Sequence, residues 1–286
     1  MIEETKGAAE QARQTAHHSA RQAQPWLVGF GRFGYAAEGV VYVLIGVLAV
    51  QVALGRGGET TDNRGALVQI VQAPFGRVLL IAIALGIFGF ACWRFLQATL
   101  DTDNKGAQPK GIAQRLALAG IGVVHLGLAL SALRLLQTGT AGASSSAAAQ
   151  GWTATFLSKP FGQWLVALAG LIVIGVGCFQ FFQSYTALFR NELALSSMST
   201  TEQRWMTWLG RAGYAAQGVV FWIIGLFLGY AAFRANPGEA RGLDGALATL
   251  AQQPFGPWLL GLVAVGLVAY GLYLGAQARY RRMVIT

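Results

Sequence analysis

Six apolar runs of about 20 residues alternate with polar connections along the chain. They lie near residues 33–54, 77–98, 115–136, 163–184, 212–233 and 257–278. Because a helix rises about 1.5 Å per residue, about 20 residues cross a hydrocarbon core of roughly 30 Å. The strands of a membrane barrel alternate polar and apolar side chains, and these runs do not. The pattern therefore predicts an all-α integral membrane protein with six transmembrane helices.

The six runs belong to three repeat units. One segment opens the first run of each unit: GRFGYAAEGVVYVLIG at 31–46, QRLALAGIGVVHLGLA at 114–129 and GRAGYAAQGVVFWIIG at 210–225. A Pro-Phe-Gly marker opens the second run, at 74–76, 160–162 and 254–256. Each unit holds two spans, so the chain returns to the same side of the membrane before the next unit begins. The units are therefore predicted to be parallel hairpins, and a pseudo-threefold arrangement is the natural expectation.

The units are separated by polar connections. Their predicted limits are 28–100, 111–187 and 205–282, after a polar cytoplasmic tail at 1–27. Before the first marker, Leu67, Ile70 and Val71 share one face of a helix, which predicts a short surface helix ahead of the proline in each unit. The stretch TGTAGASSSAAAQG at 138–151 has low complexity and is expected to form an outer loop.

Charge indicates an orientation in the membrane. Charged residues make up 12% of the chain, and the net charge is +9. Of the 21 Lys and Arg residues, 14 fall on the side that holds both termini. The positive-inside rule then places both termini in the cytoplasm of a multi-pass protein of the cell inner (plasma) membrane. This bias accounts for the basic residues, and no nucleic-acid partner is expected.

The repeated GRxGYAAxGVV segment, followed by the Pro-Phe-Gly turn and a second span, resembles a bacterial membrane family known as domain of unknown function 1206. The resemblance covers residues 28–282. Unit two departs from it, since Leu118 stands where units one and three have tyrosine, and Ile121 stands where they have Glu38 and Gln217. The resemblance implies three tandem two-helix units. It implies no activity, cofactor or catalytic residue.

Motifs for enzymatic chemistry fail on inspection. The glycines at 29, 31 and 34 match a dinucleotide fingerprint as text, but that motif needs a preceding strand. The segment 101–106 resembles the start of a calcium loop, yet Ile112 stands where the loop needs a bidentate glutamate. The chain has no P-loop, His-Glu-x-x-His or Gly-x-Ser-x-Gly sequence. We therefore expect no enzyme, no cofactor and no metal site.

Glu38 is the one acid inside a predicted span, and such a residue needs a partner. Arg94 lies at about the same depth in the second span of the same unit. The other units carry neither charge at the equivalent positions, which are Ile121 and Gln180 in unit two and Gln217 and Leu274 in unit three. This comparison predicts an intramembrane ion pair between Glu38 and Arg94.

Other polar residues of the spans are weaker candidates for function. Arg32, Arg115 and Arg211 begin the first helix of each unit. They either anchor the helices at lipid headgroups or form a ring that binds anionic headgroups or lines a vestibule. His125 lies mid-span, where units one and three carry Tyr42 and Phe221, and either packs against a neighbouring helix or relays protons. Gln217 is a further candidate intramembrane polar residue.

Two functional interpretations stay open. The first is a non-enzymatic protein that scaffolds membrane components or modulates the bilayer. Its partners would be membrane lipids, among them anionic headgroups, and an unidentified membrane protein. The alternative is a channel or transporter with a path near the repeat axis, for which the inward-facing polar residues are few. A membrane enzyme would need a nucleophile and base pair, and the spans offer none.

The orientation can be tested by cysteine labelling. In a variant without Cys92 and Cys178, single cysteines at Ala107 and Ser145 are probed in intact cells with an impermeant thiol reagent. Because both termini are predicted to be cytoplasmic, we expect labelling at Ser145 and none at Ala107. The reverse pattern would overturn the orientation.

Overall fold

A computed structural model describes residues 24–103, 105–140 and 142–283 of the chain. Residues 1–23 of the predicted tail lie outside the described residues. The described part is helical throughout, apart from connecting segments and one isolated antiparallel bridge between Leu193 and Arg281. The expected all-α class is confirmed.

In the part of the chain that the structure describes, six long helices form the bundle. They are α1 (Gln24–Ala53), α3 (Gly76–Leu100), α4 (Pro109–Thr138), α6 (Gly162–Thr186), α7 (Thr200–Arg234) and α9 (Gly256–Tyr280). Each is long and apolar enough to cross a membrane. The first helix of every unit begins earlier than its apolar run predicted. In α7 the reason is a capping box, in which the Ser199 and Glu202 side chains each bond the other's backbone N–H.

A short helix precedes each marker, as expected. These helices are α2 (Asn63–Gln72), α5 (Ser145–Leu157) and α8 (Leu243–Ala251). In each marker the phenylalanine is left-handed, with φ between 59° and 61°, and starts the next long helix. The expectation of a loop over 138–151 is wrong in its second half, because α4 ends at Thr138 and α5 begins already at Ser145. Ser144 caps α5 by accepting from the Ala147 N–H, a local bond that the low complexity of the sequence obscures.

The units pack in a cycle. The first helix of each unit lies against the second helix of the preceding unit, so that α4 packs on α3, α7 on α6 and α1 on α9. Two within-unit pairs, α1 with α3 and α7 with α9, also pack together. The first helices begin at one end of the bundle, here called the arginine end. The three short helices lie at the opposite end, here called the short-helix end.

The three arginines of the ring predicted from sequence each bond to the end of another helix. The guanidinium of Arg32 donates to the carbonyls of Ala278 and Arg279, at 3.1 and 2.6 Å, at the end of α9. Arg115 donates to the carbonyls of the last turn of α3, at 2.7 and 3.0 Å, and Arg211 donates at 3.4 Å to the last turn of α6. Each arginine therefore caps a helix of the preceding unit, where unpaired carbonyls and the helix dipole favour a cation.

Unit two breaks the pattern, because its long helices α4 and α6 do not pack against each other along their length. The reason lies in the residues that permit close approach. In unit one a Cβ at Gly86 would meet the Ala37 Cβ at 2.5 Å, and in unit three a Cβ at Gly266 would meet the Ala216 Cβ at 2.5 Å. The equivalent residue of unit two is Ile172, which has a branched side chain where units one and three have none. The gap between α4 and α6 is called the seam below.

Exposure along the seam follows from this gap. Val41 and Val220 are equivalent residues of units one and three, with 0% and 5% of their surface exposed. Val124, their counterpart in unit two, is 69% exposed, and Ile172 is 58% exposed. The seam is therefore an apolar opening in an otherwise closed cycle of helices.

A polar cluster bridges the three units at the short-helix end. Asp62 caps α2 through the Gly65 N–H at 2.9 Å and also accepts from the backbone N–H of Ser145. Asp244 at the start of α8 accepts from the Ser145 and Ser146 hydroxyls, at 2.7 and 2.8 Å. Half-burial would raise the pKa of Asp244, but these hydrogen bonds outweigh it and hold the pKa below the usual value. Since Ser145 belongs to this cluster, the exposed Thr140 is the better labelling position.

The close approach of glycine in unit three predicts a position-specific loss of stability. Gly266→Ile should reduce the free energy of unfolding by about 1–3 kcal/mol, because the side chain would overlap α7. Gly175→Ile is the matched control, since a Cβ at Gly175 in α6 meets nothing within 4 Å. The measurement is thermal unfolding of both variants in detergent. Equal losses would contradict the packing explanation of the seam.

Candidate functional site

The candidate site is an acid and imidazole pair inside the bundle, beside the seam. Glu38 lies on α1 and His125 on α4, 87 positions apart in the chain. The Nε2 atom of His125 is 3.0 Å from Oε1 of Glu38. The Glu38 side chain is 4% exposed and that of His125 is 14% exposed. Unit one thus contributes the acid, and unit two contributes the base.

The helix that carries His125 fixes its ring. Nδ1 lies 2.8 Å from the carbonyl oxygen of Ile121, one turn earlier in α4. A carbonyl only accepts, so Nδ1 must carry a hydrogen. Nε2 then faces the Glu38 carboxyl group, and one proton is needed between them for a hydrogen bond. With that proton the pair is neutral overall, whichever atom holds it, which suits an apolar surrounding.

The predicted pair between Glu38 and Arg94 is not formed. Arg94 instead donates to Oε1 of Gln97 at 3.0 Å, and its guanidinium lies 4.5 Å from the centre of the Phe90 ring. Its long side chain extends toward the arginine end and gains a cation–π contact there. The same Phe90 ring lies 4.7 Å from the His125 ring. One aromatic side chain therefore separates the arginine from the acid–imidazole pair.

The repeat geometry explains why the predicted partner was wrong. Gln217 of α7 is buried and accepts from the Gln180 amide of α6 at 2.6 Å. These two residues are the counterparts of Glu38 and Arg94, and they belong to different units. The position of Glu38 therefore faces the position of Arg94 across the contact between two units, and not within one unit. For Glu38 this contact is with α9, where Leu274 stands at the position equivalent to Arg94 and carries no charge.

Three buried atoms at this site have no hydrogen-bond partner among the described residues: Oε2 of Glu38, Nε of Arg94 and the hydroxyl oxygen of Tyr35. The centre of the Tyr35 ring lies 5.5 Å from the guanidinium carbon of Arg94. Buried polar groups without partners are uncommon and mark sites of strain or function.

A charged network connects the site to the arginine end. The Gln97 amide donates to Asp103 at 3.0 Å, and a guanidinium nitrogen of Arg281 lies 4.0 Å from the same carboxylate. Arg281 is buried and pairs with Glu192 at 2.7 Å. Sequence reasoning missed this network, because Arg281 was counted only as a basic residue at a helix end and the pairing joins distant connections.

The electrostatics of this network favour the charged forms. Burial alone would raise the pKa of Glu192, but the charge and hydrogen bond of Arg281 bring it below the usual value. Burial would likewise lower the pKa of Arg281, and Glu192 with Asp103 raises it instead. Among the described residues, no group of three or more His, Cys, Asp and Glu side chains could hold a metal ion.

The chain is similar to proteins without an assigned activity. The family described as Domain of Unknown Function (DUF1206) matches it three times, at residues 33–101, 116–187 and 212–281. An uncharacterized protein, YxxB, of Bacillus subtilis (strain 168) is 38% identical over 263 residues. The match covers 92% of this chain and 94% of that relative. No solved structure matches.

The pair predicts a specific double-mutant cycle. His125→Phe alone should reduce the free energy of unfolding by about 1–3 kcal/mol, because it leaves the buried Glu38 without a partner. Adding Glu38→Gln should recover much of that loss, because the neutral glutamine leaves no buried acid without a partner. Thermal unfolding in detergent across the four variants measures the coupling. Strictly additive losses would mean that the two side chains are not coupled.

Proposed function

The chain belongs to the DUF1206 family, and on that premise we propose that it is a non-enzymatic scaffold of the membrane that holds an anionic phospholipid in the seam. It is a multi-pass membrane protein with six apolar helices in three repeat units. The proposed orientation keeps both termini in the cytoplasm, which places the arginine end on that side.

The open seam of unit two carries this proposal. Its walls are apolar, with Val124 exposed on α4 and Ile172 and Phe179 exposed on α6. Inside a bilayer an apolar cleft is filled by apolar groups from its surroundings, and lipid acyl chains are the most abundant of these. The cluster around Asp62 and Asp244 bridges the bundle at the short-helix end. The free entrance is therefore expected at the arginine end.

Charge at that entrance favours an anionic headgroup. Lys110 at the start of α4 and Arg211 beside the end of α6 are exposed, and Arg190 follows α6. The nearby acids already have partners: Glu192 pairs with Arg281, and Asp101 accepts from two backbone N–H groups. Uncompensated cations near a membrane surface attract anionic lipids. The proposed occupant is therefore one phospholipid, with an acyl chain in the seam and its headgroup at these cations.

One observation favours the second candidate, a channel or transporter. The Glu38–His125 pair is a titratable group inside the bundle, and such groups occur in proton pathways. Coupled transport would need that pair to exchange protons with both sides of the membrane. Proteoliposomes under an imposed pH gradient test this candidate, since faster collapse of the gradient in the wild type than in Glu38→Gln would support transport.

Lipid retention tests the scaffold proposal. Gly120→Leu adds a side chain on α4 at the counterpart of Ala37, the residue that faces the partner helix in unit one. Gly229→Leu on α7 is the matched control, because a Cβ at either glycine meets nothing within 4 Å. Native mass spectrometry after reconstitution in phosphatidylglycerol and in phosphatidylcholine compares the bound lipid. We expect retained phosphatidylglycerol in the wild type and in Gly229→Leu, and its loss in Gly120→Leu.

Three other outcomes would contradict the proposal. Equal retention in the two glycine variants would exclude the seam as the lipid site. Equal retention of both lipids would exclude a role for the cations at the entrance. A co-purified membrane protein that is lost in Gly120→Leu, without bound lipid, would assign the seam to a protein partner.

A further inference from the structure

We infer that Glu38 and His125 together bind one proton, and that this proton holds α4 against the core and so sets the width of the seam. This inference goes beyond the proposed lipid site. It rests on the geometry of the pair and of the seam, and it holds whether the seam receives a lipid or a protein.

The first step is the position of the pair in the fold. Among the long helices, α4 packs extensively only on α3. Arg115 reinforces that contact at the arginine end, again toward α3. Within the described residues, the Glu38–His125 contact is the one side-chain hydrogen bond between α1 and α4. A change in this bond therefore acts on the helix that forms one wall of the seam.

The second step is the count of protons. The Ile121 carbonyl keeps Nδ1 of His125 protonated, so the state of the pair depends on Nε2 and Glu38. With one proton the two groups attract and the pair is neutral. Without it, the lone pair of Nε2 faces a carboxylate, and the contact becomes repulsive. With a second proton the pair carries a net positive charge, which Arg94 nearby opposes.

The surroundings of the pair add few competing charges. Arg94 comes from α3, Tyr42 from α1 itself and Tyr270 from α9. Helix α7 contributes Gln217, which does not titrate and lies beside Tyr42. Arg94 is the only permanent charge in this set. The neutral, one-proton state is accordingly the stable one, and loss of the proton is the event that releases α4.

The third step is a comparison between the units. The equivalent contact between units three and one places Gln217 beside Tyr42, so that it contains neither an acid nor an imidazole. Units one and three carry Tyr42 and Phe221 where unit two carries His125. The acid and imidazole pair thus occurs between α1 and α4, and α4 is the helix that borders the seam. His125 is also the more exposed partner, so proton exchange is expected to proceed through the imidazole.

Distance measurements across the seam test the inference. Spin labels are placed at Leu130 on α4 and Leu171 on α6, both exposed to lipid, in a variant without Cys92 and Cys178. Pulsed electron spin resonance then compares samples over the range from roughly pH 5 to 9. In the wild type we expect the distance distribution to broaden and shift as pH rises. In Glu38→Gln with His125→Phe, which removes the acid and the imidazole, it should not respond to pH.

A distribution that is independent of pH in the wild type, or equally dependent in the double variant, would overturn the inference. A second measurement keeps the native pair intact and so does not depend on the folding of the variant. With His17→Gln and His18→Gln, His125 is the only histidine of the chain. Nitrogen-15 spectra of its ring should show Nδ1 protonated throughout and one pH-dependent change in the Nε2 shift, because Nε2 loses either its own proton or the hydrogen bond from the Glu38 carboxyl group. Loss of the Nδ1 proton, or a ring without any change over this range, would refute the shared proton.

Discussion

Close approach of helix backbones is the constraint on which this bundle depends. In lipid, apolar side chains gain little by leaving their surroundings, so helices associate where small residues let the backbones come together. Units one and three meet that condition within the unit at Gly86 and Gly266, where a single added Cβ would overlap the facing alanine. Unit two carries Ile172 there, and its two long helices do not pack against each other along their length. The break in the cycle therefore coincides with the loss of the small residue at this repeat position.

Polar residues at equivalent repeat positions also make equivalent contacts. The capping arginines and the Gln180–Gln217 contact each join a first helix to the second helix of the preceding unit. The arginines complete helix ends that would otherwise leave carbonyls unpaired. The polar side chains in the spans therefore serve the cycle first, and the Glu38–His125 pair is the exception that adds a titratable group to it.

Much of the fold could be read from local pattern, because span length, repeats and the Pro-Phe-Gly turns are set by residues near one another in sequence. The candidate site could not be completed that way. Glu38 was recognised as needing a partner, but the comparison of equivalent positions assumed contacts within a unit and pointed to Arg94. The true partner, His125, lies in the next unit at a different repeat position. Arg281 and Glu192 were missed for the same reason, as were Ser145 and Ser146, because their hydrogen bonds are to residues near the start of a distant helix.

The cluster of Asp62, Ser145 and Asp244 gives any movement of the seam a fixed pivot. Helix α4 has 30 residues and is therefore about 45 Å long. Its end near Thr138 lies next to the cluster, while near its other end Arg115 bonds to α3. A rotation of about 10° around the end at the cluster would displace the other end by about 8 Å. The helix would then act as a lever, and the change in width would be transmitted to one leaflet of the bilayer while the other stayed almost undisturbed.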